Sequence, residues 1–321
     1  PAQYYETVYK LLYNKAYYAN GGYASEAYKT ADSQILDEKN GGLGYLVYTI
    51  PEGEKLIGTN FKLNPNATLG YSDGEYYYIP DDWYNEVYHN SFRQEYNLSV
   101  NGNSNRFNYY ASAGYLNDKG IVNNSDYKRY STRINADYQV KKWIKVTTSM
   151  AFTHSTSISL SSTGWGSSGN LFDITNKMGP IYPLYTRDAQ GNIKRDEGGH
   201  IIYDTNNTNF MRPSVVGNAV RDNEYDNAHN IADVLNGKWG IILTPLNGLT
   251  LNANISLTDD NTRYNRLYSI YGSGAATDGQ AYVSHDRMFT TNKQFLAQYD
   301  TDFGGSQHNF QILAGYEDYQ R

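Results

Sequence analysis

Cysteine is absent from the 321-residue sequence, which excludes disulfides, thiol nucleophiles and cysteine-based metal sites. Long apolar runs are absent too. The stretch 239–246 (WGIILTPL) is interrupted by Pro245 and falls far short of the roughly 20 apolar residues of a membrane helix, so a helical membrane span is excluded. The chain begins with Pro1 and shows no charged segment followed by an apolar one, so we expect a piece of a longer protein.

Basic residues are scarce and form no block. Lys and Arg total 27 against 33 Asp and Glu, which gives a net charge of −6. The sequence lacks the basic patch that is typical of nucleic-acid-binding proteins, so we expect no DNA or RNA partner. Proline and glycine, at 8 and 29 residues, are close to ordinary usage and exclude a collagenous or low-complexity chain.

Tyrosine, by contrast, is abundant, with 34 residues against 10 Phe and 4 Trp. Its ring is apolar and its hydroxyl is polar, which suits surfaces where an apolar phase meets water. The excess therefore indicates either a membrane boundary or a surface for stacking.

Residues 1–90 carry a helical pattern. Apolar and aromatic residues recur at helical spacing over 2–18, which predicts an amphipathic helix. A second helix is expected over 25–36, with Ser25 as its cap. Asp81 or Asp82 is placed to cap a third, short helix. We expect a helical, loop-rich region.

From residue 91 the period changes to two, which is the period of a strand with one apolar face. In the segment 129–140, for example, apolar residues such as Ile134 alternate with polar ones such as Arg133. The same alternation predicts eight strands, near 91–101, 106–115, 129–140, 143–153, 231–244, 249–257, 295–303 and 310–316.

The connections between these strands alternate in length. Long excursions at 116–127, 155–229 and 260–291 alternate with short turns, which lie at 101–105, 140–143, 245–248 and 304–307. Short turns at one end of an antiparallel meander and long loops at the other are typical of outer-membrane barrels.

Periodicity alone does not tell whether the apolar face contacts lipid or a protein core, since both environments demand alternation. A lipid-facing Arg or Lys at mid-membrane would cost about 2–4 kcal/mol, and the charges do fall on the polar face: Arg129, Arg133, Asp137 and Lys145. Aromatic residues lie near both strand ends, as in interfacial girdles. These features together favour a barrel. A sandwich core would impose the same sorting of charge, so a soluble β-protein remains an alternative interpretation.

The segment 91–152 contains RQEYNLSV, NYYASAGYLNDKGI, DYKRYSTRIN and WIKV in this order. With these motifs it resembles the SusC/RagA family of TonB-linked outer-membrane transporters. Flanking motifs agree with the family, namely NPNATL at 64–69, DDWYNEVYHN at 81–90 and PIYPLYTRDAQGNIKRDEGGHIIYD at 180–204. The turn NGNSN at 101–105 departs from the family, which more often has Gly-Gly there, and this concerns a turn rather than a function.

The resemblance implies an all-β fold, an antiparallel transmembrane β-barrel that is partial here, with about eight strands and no plug. Residues 1–90 would form a helical, loop-rich external excursion, and residues 91–321 part of the barrel with a long external loop at 155–229. The resemblance also implies TonB-dependent import of oligosaccharides or peptides across the outer membrane of a Gram-negative cell. Its partners would be membrane lipid, a SusD-like surface lipoprotein, and the TonB complex acting through the missing plug region.

Motifs for catalysis or metal binding are not found. The six histidines show no paired spacing such as HExxH, and Asp81 with Asp82 precedes a helix turn, where capping is the commoner role. We therefore expect no enzyme, no cofactor and no metal site.

Candidate contact residues come from the long loops and from the polar strand face. Aromatic loop residues can stack on sugars or pack on a partner, although they more often pack on their own loop. Our candidates for cargo binding are Trp165, Tyr182, Tyr185 and Tyr271. Our candidates for contacts in the barrel lumen, chiefly with the plug, are Arg129, Arg133, Asn135 and Asp137.

Two other interpretations remain open from the residues. One is a secreted or surface carbohydrate-binding β-protein without transport, which the aromatic residues would also suit. The other is a small closed barrel, since eight strands is the smallest common outer-membrane size. Pairing between 91–101 and 308–318 would support the closed barrel, and free edges would oppose it.

Overall fold

The computed structural model of the protein describes residues 1–160, 171–205, 218–273, 278–303 and 308–321. Its elements fall into two compact units. The helical unit comprises Pro1–His89, Ser161–Asp226 and Tyr268–Gly279, and the sheet unit comprises Asn90–Leu160, Asn227–Leu267 and Gln280–Arg321. The helical unit therefore takes in most of the long loop predicted at 155–229 as well as the first ninety residues.

The described part of the helical unit contains five helices, which are α1 (Ala2–Ala19), α2 (Ala24–Gln34), α3 (Trp83–Val87), α4 (Leu171–Lys177) and α5 (Ala219–Tyr225). A 3-10 turn covers Glu38–Asn40. Four two-residue strands pair as β1 (Tyr48–Thr49) with β2 (Thr68–Leu69) and as β3 (Tyr71–Ser72) with β4 (Tyr77–Tyr78). The helices predicted over 2–18 and 25–36 correspond to α1 and α2.

The helix starts agree with the sequence only in part. Asp82 caps α3, since its side chain accepts a hydrogen bond from the Asn85 backbone N–H at 3.1 Å. Ser25 does not cap α2, because the helix starts one residue earlier and Tyr23 precedes it without a side-chain cap. The prediction of a serine cap at this helix is therefore wrong.

Tyrosine forms much of the core of the helical unit. α1 turns Tyr5, Tyr9 and Leu12 inward, and all three are buried. The Tyr5 hydroxyl donates to the backbone carbonyl of Tyr45, and the Tyr45 hydroxyl donates to the Asp204 carboxylate at 2.6 Å. Because these hydroxyls have partners, the rings are buried without leaving a polar tip unsatisfied.

The sheet unit is one antiparallel sheet whose eight strands pair in chain order, from β5 (Arg93–Asn103), β6 (Phe107–Asp118), β7 (Tyr127–Lys141) and β8 (Ile144–Ser159) to β9 (Asn227–Leu246), β10 (Leu249–Tyr268), β11 (Gln280–Phe303) and β12 (His308–Gln320). Each strand lies beside its neighbours in the chain, so the sheet is a meander. The predicted eight strands and the all-β class are confirmed.

The register places the predicted apolar residues on one face. Ala111 of β6 lies opposite Ile134 of β7, which lies opposite Met150 of β8. Leu98 of β5 is 76% exposed and Ile134 is 55% exposed, so these side chains lie at the surface. A sandwich core would bury them, and their exposure therefore argues against that interpretation.

The sheet does not close on itself. β5 and β12 form its two edges within the described ranges, and the segments 91–101 and 308–318 are not paired. This arrangement opposes the small closed barrel. β9, β10 and β11 are longer than predicted, at 20, 20 and 24 residues, because backbone pairing continues into segments that the sequence assigned to loops.

No helix in the described part of the chain is both long enough and apolar enough to cross a membrane.

Candidate functional site

Residues 185–203 of the helical unit, a double hairpin with turns at 188–192 and 196–200, carry the first part of the candidate site. An isolated bridge pairs Tyr185 with Tyr203 across it. Its far turn is closed by Asp196, whose backbone N–H donates to the His200 carbonyl at 2.9 Å and whose carboxylate accepts from the His200 N–H at 2.8 Å. The hairpin therefore fixes Tyr203 beside Tyr185 and orders the backbone of His200.

Five rings from three chain segments form what we call the aromatic cluster, namely Tyr185, His200, Tyr203, Tyr225 and Tyr271. The ring centroids of Tyr185 and Tyr203 are 5.4 Å apart, and those of Tyr203 and Tyr225 are 6.2 Å apart. His200 stacks on Tyr271 at 4.0 Å with an interplanar angle of 25°. Tyr225 lies 5.9 Å from both of these rings. Such stacked and edge-to-face arrangements are favourable.

The aromatic cluster is buried at one end and open at the other. Tyr203 is 8% exposed, whereas Tyr271 is 41% exposed. The accessible part thus includes the ring of Tyr271, which stacks on His200 and is joined to buried Tyr203 through Tyr225. A face of this kind can stack on a sugar ring or pack on a peptide side chain.

Carboxylates lie beside the polar edges of the aromatic cluster. The Tyr185 hydroxyl donates to Glu86 at 2.8 Å, and burial together with this carboxylate raises the pKa of Tyr185. Burial raises the pKa of Tyr203 to about 12. The His200 backbone N–H lowers the pKa of Asp196, whose carboxylate lies 3.1 Å from the imidazole. At neutral pH the two tyrosines are therefore neutral and Asp196 is charged.

A second candidate surface is the polar face of the sheet unit. The four predicted residues lie together on it, on β7: Arg129, Arg133, Asn135 and Asp137. Three of them contact other strands, since Arg129 lies 3.7 Å from Glu95 of β5, Asp137 lies 2.9 Å from Lys145 of β8, and Asn135 accepts from the Ser149 hydroxyl of β8 at 2.7 Å.

Arg133 differs from the other three polar-face candidates. Together with Lys238 of β9 it lines a shallow groove. Neither cation forms an ion pair with any residue in the ranges that the structure covers. The groove therefore presents positive charge that a contacting surface could neutralise.

Comparisons with known proteins give one coherent result. No family model matches the chain. TonB-dependent receptor P3 of Formosa agariphila is 23% identical over 244 residues, which is 75% of this chain and 22% of that protein. The RagAB peptide transporter matches with a TM-score of 0.54 and 20% identity over 74% of this chain and 25% of that chain. The RagAB peptide importer in its open-open state gives the same TM-score of 0.54 at 21% identity.

The chain resembles a SusC/RagA-type TonB-dependent transporter. It spans about a quarter of the length of the relatives it matches. The likeness to RagAB shows a shared fold, in which the antiparallel sheet corresponds to part of a transporter barrel. These relatives are named as a receptor and a transporter and not as enzymes.

The structure separates the four aromatic residues that the sequence selected. Tyr185 and Tyr271 come together in the aromatic cluster. Tyr182 is 4% exposed, and its hydroxyl donates to the backbone carbonyl of Leu43 at 3.0 Å, so it is a core residue and cannot stack on cargo. Trp165 lies outside the described residues. The sequence did not select His200 or Tyr225, because their contacts join segments that no local pattern links.

The paired carboxylates Asp81 and Asp82 have separate structural roles. Asp82 caps α3, whereas Asp81 binds the Arg187 guanidinium at 2.5 and 3.0 Å and accepts from the Leu184 backbone N–H at 2.7 Å. Among the residues described, no group of three or more His, Cys, Asp or Glu side chains could hold a metal ion.

Proposed function

We propose that the chain forms part of an outer-membrane importer that takes up large nutrients, oligosaccharides or peptides, in a TonB-dependent way. A SusD-like surface lipoprotein acts with it on the external side, and the TonB complex acts through a plug region outside these residues. One observation carries the proposal: the sheet, whose fold resembles that of the RagAB transporter, exposes large apolar side chains on one face.

The extent of the apolar face supports a position in a bilayer. β10 is 20 residues long, about twice the 9–11 residues that a transmembrane strand needs. Its apolar set ends at Leu257, and the next residue on that face, Asp259, pairs with Arg287 at 2.9 Å. We infer that lipid covers the apolar part of the strand and that the charged part lies beyond the bilayer.

The aromatic cluster is our candidate for cargo contact. Tyr271 offers an exposed ring face, and Tyr185 belongs to the same cluster. Trp165 remains a candidate from the sequence, whereas buried Tyr182 is withdrawn as a direct contact. An aromatic face suits both a sugar ring and an apolar peptide side chain, so it serves either kind of cargo.

The polar sheet face is our candidate for the plug contact. Arg133 and Lys238 leave positive charge in one groove, whereas Arg129, Asn135 and Asp137 already have partners on other strands. We therefore assign the plug contact chiefly to Arg133 and Lys238, and we expect acidic or amide side chains opposite them.

The carbohydrate-binding protein without transport remains the second candidate, because the aromatic cluster would serve it equally well. The two functions predict different locations for the protein and different effects of its loss on nutrient uptake. A binding protein would be recovered without detergent and would leave uptake unchanged. An importer would fractionate with the outer membrane.

The test compares cells that carry the natural protein with cells that lack its gene. We expect the protein in the outer-membrane fraction, and we expect uptake of a labelled oligosaccharide or peptide pool to fall when either this gene or the gene for TonB is removed. Recovery of the protein in the soluble fraction with unchanged uptake would contradict the proposal.

The role of the aromatic cluster is tested in the same assay. Tyr271→Ala should lower uptake of the imported pool. Tyr23→Ala, which removes a 69% exposed tyrosine elsewhere in the helical unit, is the matched control and should leave uptake unchanged. Equal uptake in the two variants would contradict a role of the aromatic cluster in cargo contact. It would not contradict the proposal of transport.

A further inference from the structure

Residues 269–273 form a turn that one buried carboxylate holds. Asp226 is 1% exposed and directly follows α5. Its Oδ1 accepts from the Ser269 backbone N–H at 2.8 Å, and its Oδ2 accepts from the Ser273 backbone N–H at 3.3 Å and from the Ser273 hydroxyl. The Gly272 N–H closes the turn by donating to the Ser269 carbonyl at 3.0 Å.

Asp226 is itself fixed to the core of the helical unit. Its backbone N–H donates to the Asp222 carbonyl at 2.9 Å in the last turn of α5. That helix starts after Asn218, a fully buried residue whose side-chain amide donates to the carbonyls of Leu184 and Asp204 at 3.1 and 2.9 Å. The carboxylate therefore connects the 269–273 turn to the buried part of the hairpin.

The turn fits closely around this carboxylate. A Cβ atom at Gly272 would overlap the Asp226 Oδ1, so the contact needs glycine at that position. Tyr271 stands between the two bonded serines, and its own N–H donates to the Ser269 hydroxyl at 3.2 Å. Its ring is thereby set at 4.0 Å from His200.

We propose that Asp226 is the positioning residue of the aromatic cluster: it holds the 269–273 turn so that Tyr271 covers one face of His200 and keeps its own outer face open. A buried carboxylate is costly to leave without its donors, which makes the turn stiff. A turn that is fixed before cargo binds loses less entropy on binding. The consequence for cargo rests on the proposed function, whereas the placement of Tyr271 does not.

The test labels the histidines of the natural protein with diethyl pyrocarbonate and follows each site by mass spectrometry. The Tyr271 ring stacks on the imidazole of His200 and hinders the approach of the reagent to the ring nitrogen, so Asp226→Asn should raise the labelling rate of His200 about twofold, to the rate seen in Tyr271→Ala. Gly272→Ala should give the same rise because it displaces the carboxylate. The double variant of Asp226 and Tyr271 should show no further rise.

Two variants control the labelling test. Ser273→Ala removes only the hydroxyl donor and should give a smaller rise in the same direction. Asp37→Asn alters another turn carboxylate of the helical unit, which accepts from the Lys39 backbone N–H at 3.1 Å, and should leave the rate at His200 unchanged. The proposal is overturned if Asp226→Asn and Gly272→Ala keep the wild-type rate while Tyr271→Ala raises it.

The same variants measure the effect on cargo in the natural protein, purified in detergent. The probes are a defined pool of tryptic casein peptides and a pool of malto-oligosaccharides. Asp226→Asn should weaken retention of the bound pool as much as Tyr271→Ala does, and the double variant should weaken it no further. If the wild-type protein retains neither pool, the proposed cargo role fails, and the labelling result still decides the role of Asp226.

Discussion

A lysine on the apolar sheet face should destabilise the protein in a bilayer far more than a lysine on the opposite face. Ile134 lies in the middle of β7 between Ala111 and Met150 and is 55% exposed in the chain itself. If lipid covers it, Ile134→Lys at mid-bilayer costs about 2–4 kcal/mol. If water covers it, the change is an ordinary surface substitution and stays within about 0.5 kcal/mol.

The matched control for this prediction is the next residue along the strand. Asn135→Lys places the same charge on the polar face and loses the hydrogen bond from Ser149 at 2.7 Å, which contributes about 1 kcal/mol. Urea-dependent folding of the natural protein into lipid vesicles, followed by tryptophan fluorescence, gives both free energies of unfolding. Equal costs for the two lysines would refute lipid contact at Ile134.

Three further predictions concern the helical unit. Arg187→Ala leaves the Asp81 side chain, 10% exposed, without its guanidinium and should cost about 3–5 kcal/mol in thermal unfolding, so a loss below about 1 kcal/mol would contradict the pairing. Tyr45→Phe removes the donor that lies 2.6 Å from Asp204 and should cost about 1–3 kcal/mol in urea unfolding, so an unchanged midpoint would speak against this bond. Burial raises the pKa of Tyr203 to about 12, so its contribution to stability is complete below about pH 10 and is lost as the pH rises through 12. Circular dichroism across this range should show a shallower alkaline loss in Tyr203→Phe, and identical curves would contradict the burial effect.

The helices and strands were predictable where the apolar residues of a segment recur with the period of a helix or a strand. The buried residues of α1 recur at helical spacing, and the strands alternate polar with apolar residues, so both patterns are visible without knowledge of their neighbours. The far halves of β10 and β11 were not predictable, because polar residues interrupt the alternation on both of their faces. Backbone pairing extends these strands, and side-chain periodicity does not reveal it.

The candidate site was less predictable than the strands. Tyr182 and Tyr185 stand three residues apart in a segment without a clear period, yet one is a core residue and the other belongs to the aromatic cluster. Only the packing of distant segments distinguishes them. The contact of Asp226 with Ser269 is likewise long-range, and no spacing rule in the sequence pairs a carboxylate with that turn.

The polar-face residues illustrate the opposite case. Alternation along β7 assigned Arg133 and Asn135 to one face, and the register places them there. Alternation could not show which of them already has a partner, since this depends on the strands beside β7. The positive groove at Arg133 and Lys238 depends on the pairing of β9 with β8, which alternation within one strand does not reveal.

Contact of the apolar sheet face with lipid is the central claim, and spin labels on adjacent residues of β8 test it most directly. The chain contains no cysteine, so Met150→Cys and Ser149→Cys each add one label site to it. In vesicles containing the natural protein, we predict that a nitroxide at Met150 collides more with oxygen, which concentrates in lipid, than with a water-soluble nickel chelate. The label at Ser149 should show the reverse preference. A label at Met150 that the nickel chelate reaches as readily as the one at Ser149 would contradict the account.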